Sequence, residues 1–176
     1  TDLTAGRSLE DSLAKHFDLL SATVGWTRGS LGETSTLLIL IGGFWLLFKG
    51  IIQWHIPAAV LLSTTLIATL FNYIDPQQYP GALFHLTSGG LMLVAFFIAT
   101  DYVTSPNGYL GQFVFGIGCG LLIYIIRTWG SFPEGAGFAI LLMNSLTPVI
   151  DHYIRPRIFG RTRSGKPLET KRVPQP

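Results

Sequence analysis

The sequence predicts an all-α polytopic membrane protein, and three observations carry that reading. Only 12% of the 176 residues are charged, about half the share usual in a soluble domain. Mean hydropathy is +0.44. Five apolar runs follow one another, each close to the roughly 20 residues that cross a bilayer core as a helix. None of them alternates with period two, so an outer-membrane barrel does not fit.

The first run, "TSTLLILIGGFWLLFKGII", covers Thr34 to Ile52. The second, "PAAVLLSTTLIATLFNYI", opens on Pro57, which suits a first helical turn. The third spans Gly81 to Asp101, and its Gly89–Gly90 pair predicts a break or a re-entrant turn. The fourth runs from Gly108 to Thr128 and the fifth from Gly135 to Ile154. The connectors "QWHI", "DPQQYP", "YVTSPN" and "GSFPE" are short and rich in turn formers. Three regions result: a polar lead over 1–33, a five-helix membrane domain over 34–154, and a basic tail over 155–176. In the lead, "SLEDSLAKHFDLL" places Leu9, Leu13, Phe17 and Leu20 on one face of a short surface helix. Thr1 opens directly into polar sequence with no start methionine, so the chain reads as a piece of something longer.

The net charge of +2 is unevenly spread. From Arg155 onward there are seven basic residues against the single acid Glu169, while the rest holds five bases and nine acids. Directly after an apolar helix, the positive-inside rule accounts for this better than nucleic acid does, and no nucleic-acid partner is expected. Five spans put the two ends on opposite faces, so a cytoplasmic tail sets the polar lead outside. Lys49, in an inner loop, agrees; Arg127, at an outer boundary, does not. Trp26, Trp54 and Trp129 fall where interfacial aromatics anchor helices. In "GIGCG", Gly116 and Gly120 stand four apart, the small-xxx-small spacing that lets helices approach, and Cys119 reads as a small packing residue.

Ionisable residues in membrane segments are costly and tend to face protein or a wet path. Glu33 sits at the mouth of the first span, where the helix dipole favours an anion. Asp101 ends the third span, and Asp151 lies in the last turns of the fifth, after Asn144, Ser145, Thr147 and Pro148 make that helix polar and kinked. Both carboxylates then share the inner side, where a pair collects a cation. The simpler alternatives are an Asp151–Arg155 pair one turn apart and a turn cap by Asp101 at "SPNG". The histidines His16, His55, His85 and His152 lack metal-ligand spacing, so no metal site is read. Nor is there a phosphate-binding loop, a dinucleotide fingerprint or a Ser/His/Asp arrangement, which argues against a self-contained catalyst.

The lead carries the sharpest motif. "DLLSAT" at Asp18–Thr23 resembles the acceptor at which flavin transferases esterify a threonine with FMN. "GSLGETSTLLILIGG", "FFIATDYVTSPNGYLGQ" and "EGAGFAILLMNSLTPVIDHYIRPRIFG" resemble, in order, the C-terminal half of the RnfD family of the Rnf electron-transport complex. The corresponding membrane component of the sodium-pumping NADH:quinone reductase is similar. Two departures are visible. Leu20 stands where a Ser or Thr is common, and "ATDYV" replaces the family's "ATDPV".

The resemblance implies a ten-helix parent of two inverted five-helix halves, this being the second. It implies a membrane complex that moves electrons between ferredoxin and NAD while translocating sodium or protons, in which this component is not catalytic alone. It implies FMN esterified to Thr23, with Asp18, Ser21, Ala22 and Trp26 around the attachment point, and a non-covalent riboflavin in the full-length protein. The implied partners are the other components of the Rnf complex (RnfA, RnfB, RnfC, RnfE and RnfG), membrane lipid, and a flavin transferase during maturation. The implied setting is the bacterial inner membrane, with Thr23 periplasmic and the C-terminus cytoplasmic. Asp101 and Asp151 match the family's membrane carboxylates. On the residues themselves, a small-residue "SAT" leaves the Thr23 hydroxyl accessible, and tethering raises a ring's local concentration to the millimolar range. A passive channel or permease, and a purely structural membrane component, are the rival readings.

Overall fold

The computed structural model describes residues 35–88, 90–130 and 135–154, and these are all helix, turn or loop. Helix α1 is Thr36–Phe48, α2 His55–Ile74, α3 Ala82–Thr87, α4 Leu91–Leu93, α5 Tyr109–Trp129 and α6 Ala136–Tyr153; a π-helical segment, Val94–Ile98, continues α4. The lead up to Glu33 and the tail from Arg155, with the expectations placed on them, lie outside the described residues.

Each boundary has a local cause. Ser35 caps α1 by accepting from the Leu38 N–H at 3.4 Å. The helix stops at Lys49–Gly50, where Gly50 takes φ +67°, a conformation that favours glycine. That leaves α1 at 13 residues, shorter than the run Thr34–Ile52. Helix α2 begins two residues before Pro57, which is tolerated in the first turn because those N–H groups have no intrahelical partner. The third run is broken where Gly89–Gly90 predicts. Its first half ends at Thr87, Ser88 is extended (φ −102°, ψ 131°), and the second half begins at Leu91. In the π segment the Ala99 N–H reaches the Val94 carbonyl at 2.8 Å, one residue further back than in an α-helix. Helix α6 continues through Pro148 to Tyr153, so the polar proline region does not end it.

The tightest packing joins α2 to α5. A Cβ on Gly116 would stand 2.6 Å from the Ala59 Cβ and 3.0 Å from the Ile56 carbonyl. A Cβ on Gly120 would stand 2.6 Å from the Val60 carbonyl and overlap the Ser63 hydroxyl. Thr64 completes the seam, its Oγ1 lying 2.9 Å from the Val60 carbonyl and 3.2 Å from the Gly120 carbonyl. Gly118, on the opposite face, admits the Met143 thioether of α6. Cys119 is fully buried in the core with Phe115 and Ile123, as a small apolar residue. Helix α1 lies against the broken segment, with Gly43 under the Phe96 ring and Thr36 Oγ1 donating to the Thr87 carbonyl at 3.4 Å.

Other faces are apolar and open. Leu62, Leu66 and Leu70 on α2 and Leu141, Leu142 and Leu146 on α6 are all exposed. Such faces suit lipid or another protein surface rather than water. By length and composition, α2 and α5 are long and apolar enough to cross a membrane, with mean hydropathies of 1.5 and 1.9.

Candidate ion-path site

One end of the bundle is built around the segment 99–108. Pro106 denies this stretch a continuous helix, and Gly108, extended at φ −90° and ψ 140°, releases the chain into α5. Neighbouring pieces hold the segment in place. Thr147 of α6 donates from Oγ1 to the Thr104 carbonyl at 2.9 Å. Asp151, one turn later, accepts from the Asn107 N–H at 3.2 Å and from Asn107 Nδ2 at 3.4 Å. Gln112 of α5 donates from Nε2 to the Pro106 carbonyl at 3.2 Å. The Tyr102 hydroxyl donates to the Ile51 carbonyl in the α1–α2 turn.

Both predicted carboxylates therefore belong to this end. Asp101 is exposed; its Oδ2 accepts from Thr104 Oγ1 at 3.2 Å, and its carbonyl accepts from the Ser105 N–H at 3.1 Å. Asp151 is half-buried. The cap at "SPNG" is supplied by Asp151 from another helix, while Asp101 stabilises the turn just before it. Arg155, the alternative partner of Asp151, lies outside the described residues, as do Thr23, Asp18, Ser21, Ala22, Trp26 and Glu33. A cavity of about 250 Å³ opens beside the segment, lined by Thr100, Tyr102, Ser105, Asn107 and Gln112 with Gln53 and Ile56 from across the gap. Two carboxylates that reach solvent beside a neutral polar cavity form an arrangement that attracts cations and supplies no nucleophile or redox group of its own.

The opposite end is aromatic. His85 is 4% exposed, its ring 5.0 Å from that of Tyr124. Phe71 lies 5.6 Å from Tyr124 and 5.2 Å from Trp129. Arg127, the cation at odds with the positive-inside count, donates to the His85 carbonyl at 3.1 Å, so it is held by protein rather than by the interface. Trp54 and Trp129 stand at opposite helix ends and are exposed, as interfacial anchors are.

Sequence reasoning missed Gln112, Asn107 and Thr104. A signal for Gln112 existed, since it is a polar side chain in the otherwise apolar "GQFVFG", and polar groups at membrane depth face protein or water.

The profile of the "NQR2, RnfD, RnfE family" matches residues 1–160. The chain belongs to that family. It is 57% identical over 168 residues to the RnfD-type component of an ion-translocating oxidoreductase complex from Stutzerimonas stutzeri, covering 96% of this chain and 48% of the relative. It is 45% identical over 172 residues to the protein of the same name from Halorhodospira halophila, covering 98% and 48%. It is 44% identical over 155 residues to the corresponding component of a Na(+)-translocating ferredoxin:NAD(+) oxidoreductase complex from Acetobacterium woodii, covering 88% and 46%. The chain thus spans about half the length of the curated relatives it matches. Family membership and the two long apolar helices together make it a membrane protein.

Proposed function

We propose that the chain is the second, five-helix half of a membrane component in a redox-driven ion-translocating oxidoreductase complex, carrying FMN on Thr23. The observation that carries the reading is the family match across residues 1–160, which includes the acceptor threonine and both carboxylates in one stretch. The names of the relatives supply the activity: ion translocation in all three, with ferredoxin and NAD as the redox couple and sodium as the ion in one. The arrangement at the 99–108 end supports the ion half of the proposal. Asp101 and Asp151 are tied to one short segment, so a cation drawn to either is near the other.

The redox half rests on Thr23. Its hydroxyl provides the oxygen that a phosphoester to FMN requires, and the small neighbours Ser21 and Ala22 leave it open to a flavin transferase. The flavin supplies one- and two-electron chemistry, and the protein supplies its position. With the basic tail cytoplasmic, Thr23 faces the periplasm and the Asp101 end faces the cytoplasm, in the bacterial inner membrane. The partners are the other components of such a complex, and the full-length protein holds riboflavin without a covalent bond.

In-gel fluorescence tests the attachment. The full-length protein, co-expressed with a flavin transferase and denatured in SDS, keeps a fluorescent band that disappears in Thr23→Val. A dark wild-type band favours a passive channel or a structural component instead.

A further inference from the structure

Gln112 is 7% exposed, and it lines the cavity at the Asp101 end. Its Nε2 donates to the Pro106 carbonyl, which fixes which way the amide is turned. The Oε1 atom is left buried with no hydrogen-bond partner. Buried polar atoms are almost always satisfied in native proteins, so an orphaned amide oxygen in a cavity wall points to something that binds there. The other polar groups on the wall are oxygen-bearing too. Thr100 donates its hydroxyl proton to the Phe96 carbonyl at 2.8 Å, which leaves the Oγ1 lone pairs available. Ser105, Asn107 and Gln53 add further oxygens. Among the described residues on the wall, only Tyr102 is ionisable, and its hydroxyl is committed to Ile51.

We propose that this cavity binds a partly dehydrated alkali-metal cation, with Gln112 Oε1 as its buried ligand. Neutral oxygen donors match a hard cation stripped of part of its water. The same wall has no base that holds a proton near neutral pH, since a phenol titrates near pH 10 and amides and alcohols do not titrate there. The inference rests on the reading of the chain as part of an ion-translocating complex and goes further: the carboxylates gather cations, and the neutral cavity admits a metal ion in preference to a proton. Its volume of about 250 Å³ leaves room for the ion with several waters.

The test uses the assembled complex in proteoliposomes, driven by its redox substrates, with ²²Na⁺ uptake measured against sodium concentration. Gln112→Met keeps the bulk of the side chain and removes the oxygen. It raises the sodium concentration for half-maximal uptake by roughly tenfold or more, and weakens equilibrium ²²Na⁺ binding to the resting complex in parallel. Gln112→Glu keeps an oxygen, adds a charge, and lowers the half-maximal concentration. An unchanged half-maximal concentration in Gln112→Met overturns the site. If that variant fails to assemble, an unchanged value in Gln112→Glu does so. Wild-type proton uptake with no dependence on sodium, the result expected if only water meets Oε1, also overturns it while leaving the ion-translocating reading intact. A wild-type complex that turns over and moves neither ion defeats that reading as well.

Discussion

Along the α2–α5 seam two backbones nearly touch, because Gly116 and Gly120 put no side chain between them. At the Asp101 end the helices stand apart, and hydrogen bonds from Thr147, Asp151, Gln112 and Tyr102 bridge the gap. Both regions must hold helices together where lipid gives no hydrophobic drive for helix association. The seam does it by close contact and leaves no room. The polar end does it by directed bonds and keeps a cavity. The difference separates a part of the molecule that fixes shape from a part able to hold an ion.

The contrast is sharpest under substitution. Gly120→Ala places a methyl group into the Val60 carbonyl and the Ser63 hydroxyl. We expect it to cost about 1–3 kcal/mol, read as a lower unfolding temperature of the detergent-solubilised protein. A neutral result would mean that the seam is looser than its contacts. Asp151→Ala removes both bonds to Asn107 at a partly exposed site and is expected to cost about 1 kcal/mol. Its larger consequence falls on redox-driven cation uptake in vesicles, which drops while the protein still folds. Uptake equal to wild type would remove Asp151 from the ion path. Gly137→Ala is the control, because a Cβ there meets nothing within 4 Å. It should stay within about 0.5 kcal/mol of wild type, and a large loss would show that this face of α6 is covered.

Much of the seam was legible in the sequence, because the Gly-x-x-x-Gly spacing is local and its geometric meaning is fixed by helix periodicity. The break in the third run was legible for the same reason, from Gly89–Gly90. The early stop of α1 was written in Lys49–Gly50, but the apolar residues Ile51 and Ile52 that follow masked it. The shared end of Asp101 and Asp151 followed from counting spans. How they are held did not, since Asn107 and Asp151 lie 44 residues apart. The cavity was equally out of reach. It exists only once the α1–α2 turn, the 99–108 segment and α5 converge, and no periodicity encodes that convergence. His85 was legible as a histidine without metal spacing, but its burial against Tyr124 depends on a helix far along the chain.

The π turn at Val94–Ile98 gives the third segment a phase offset. A regular α-helix advances about 100° per residue, so deleting one residue from this stretch would turn everything after it by about that angle. Thr100 would swing off the cavity wall, and Asp101 would lose its aim at Thr104. An extra residue in one turn thus decides where two oxygen-bearing side chains aim, without any contact of its own to an ion.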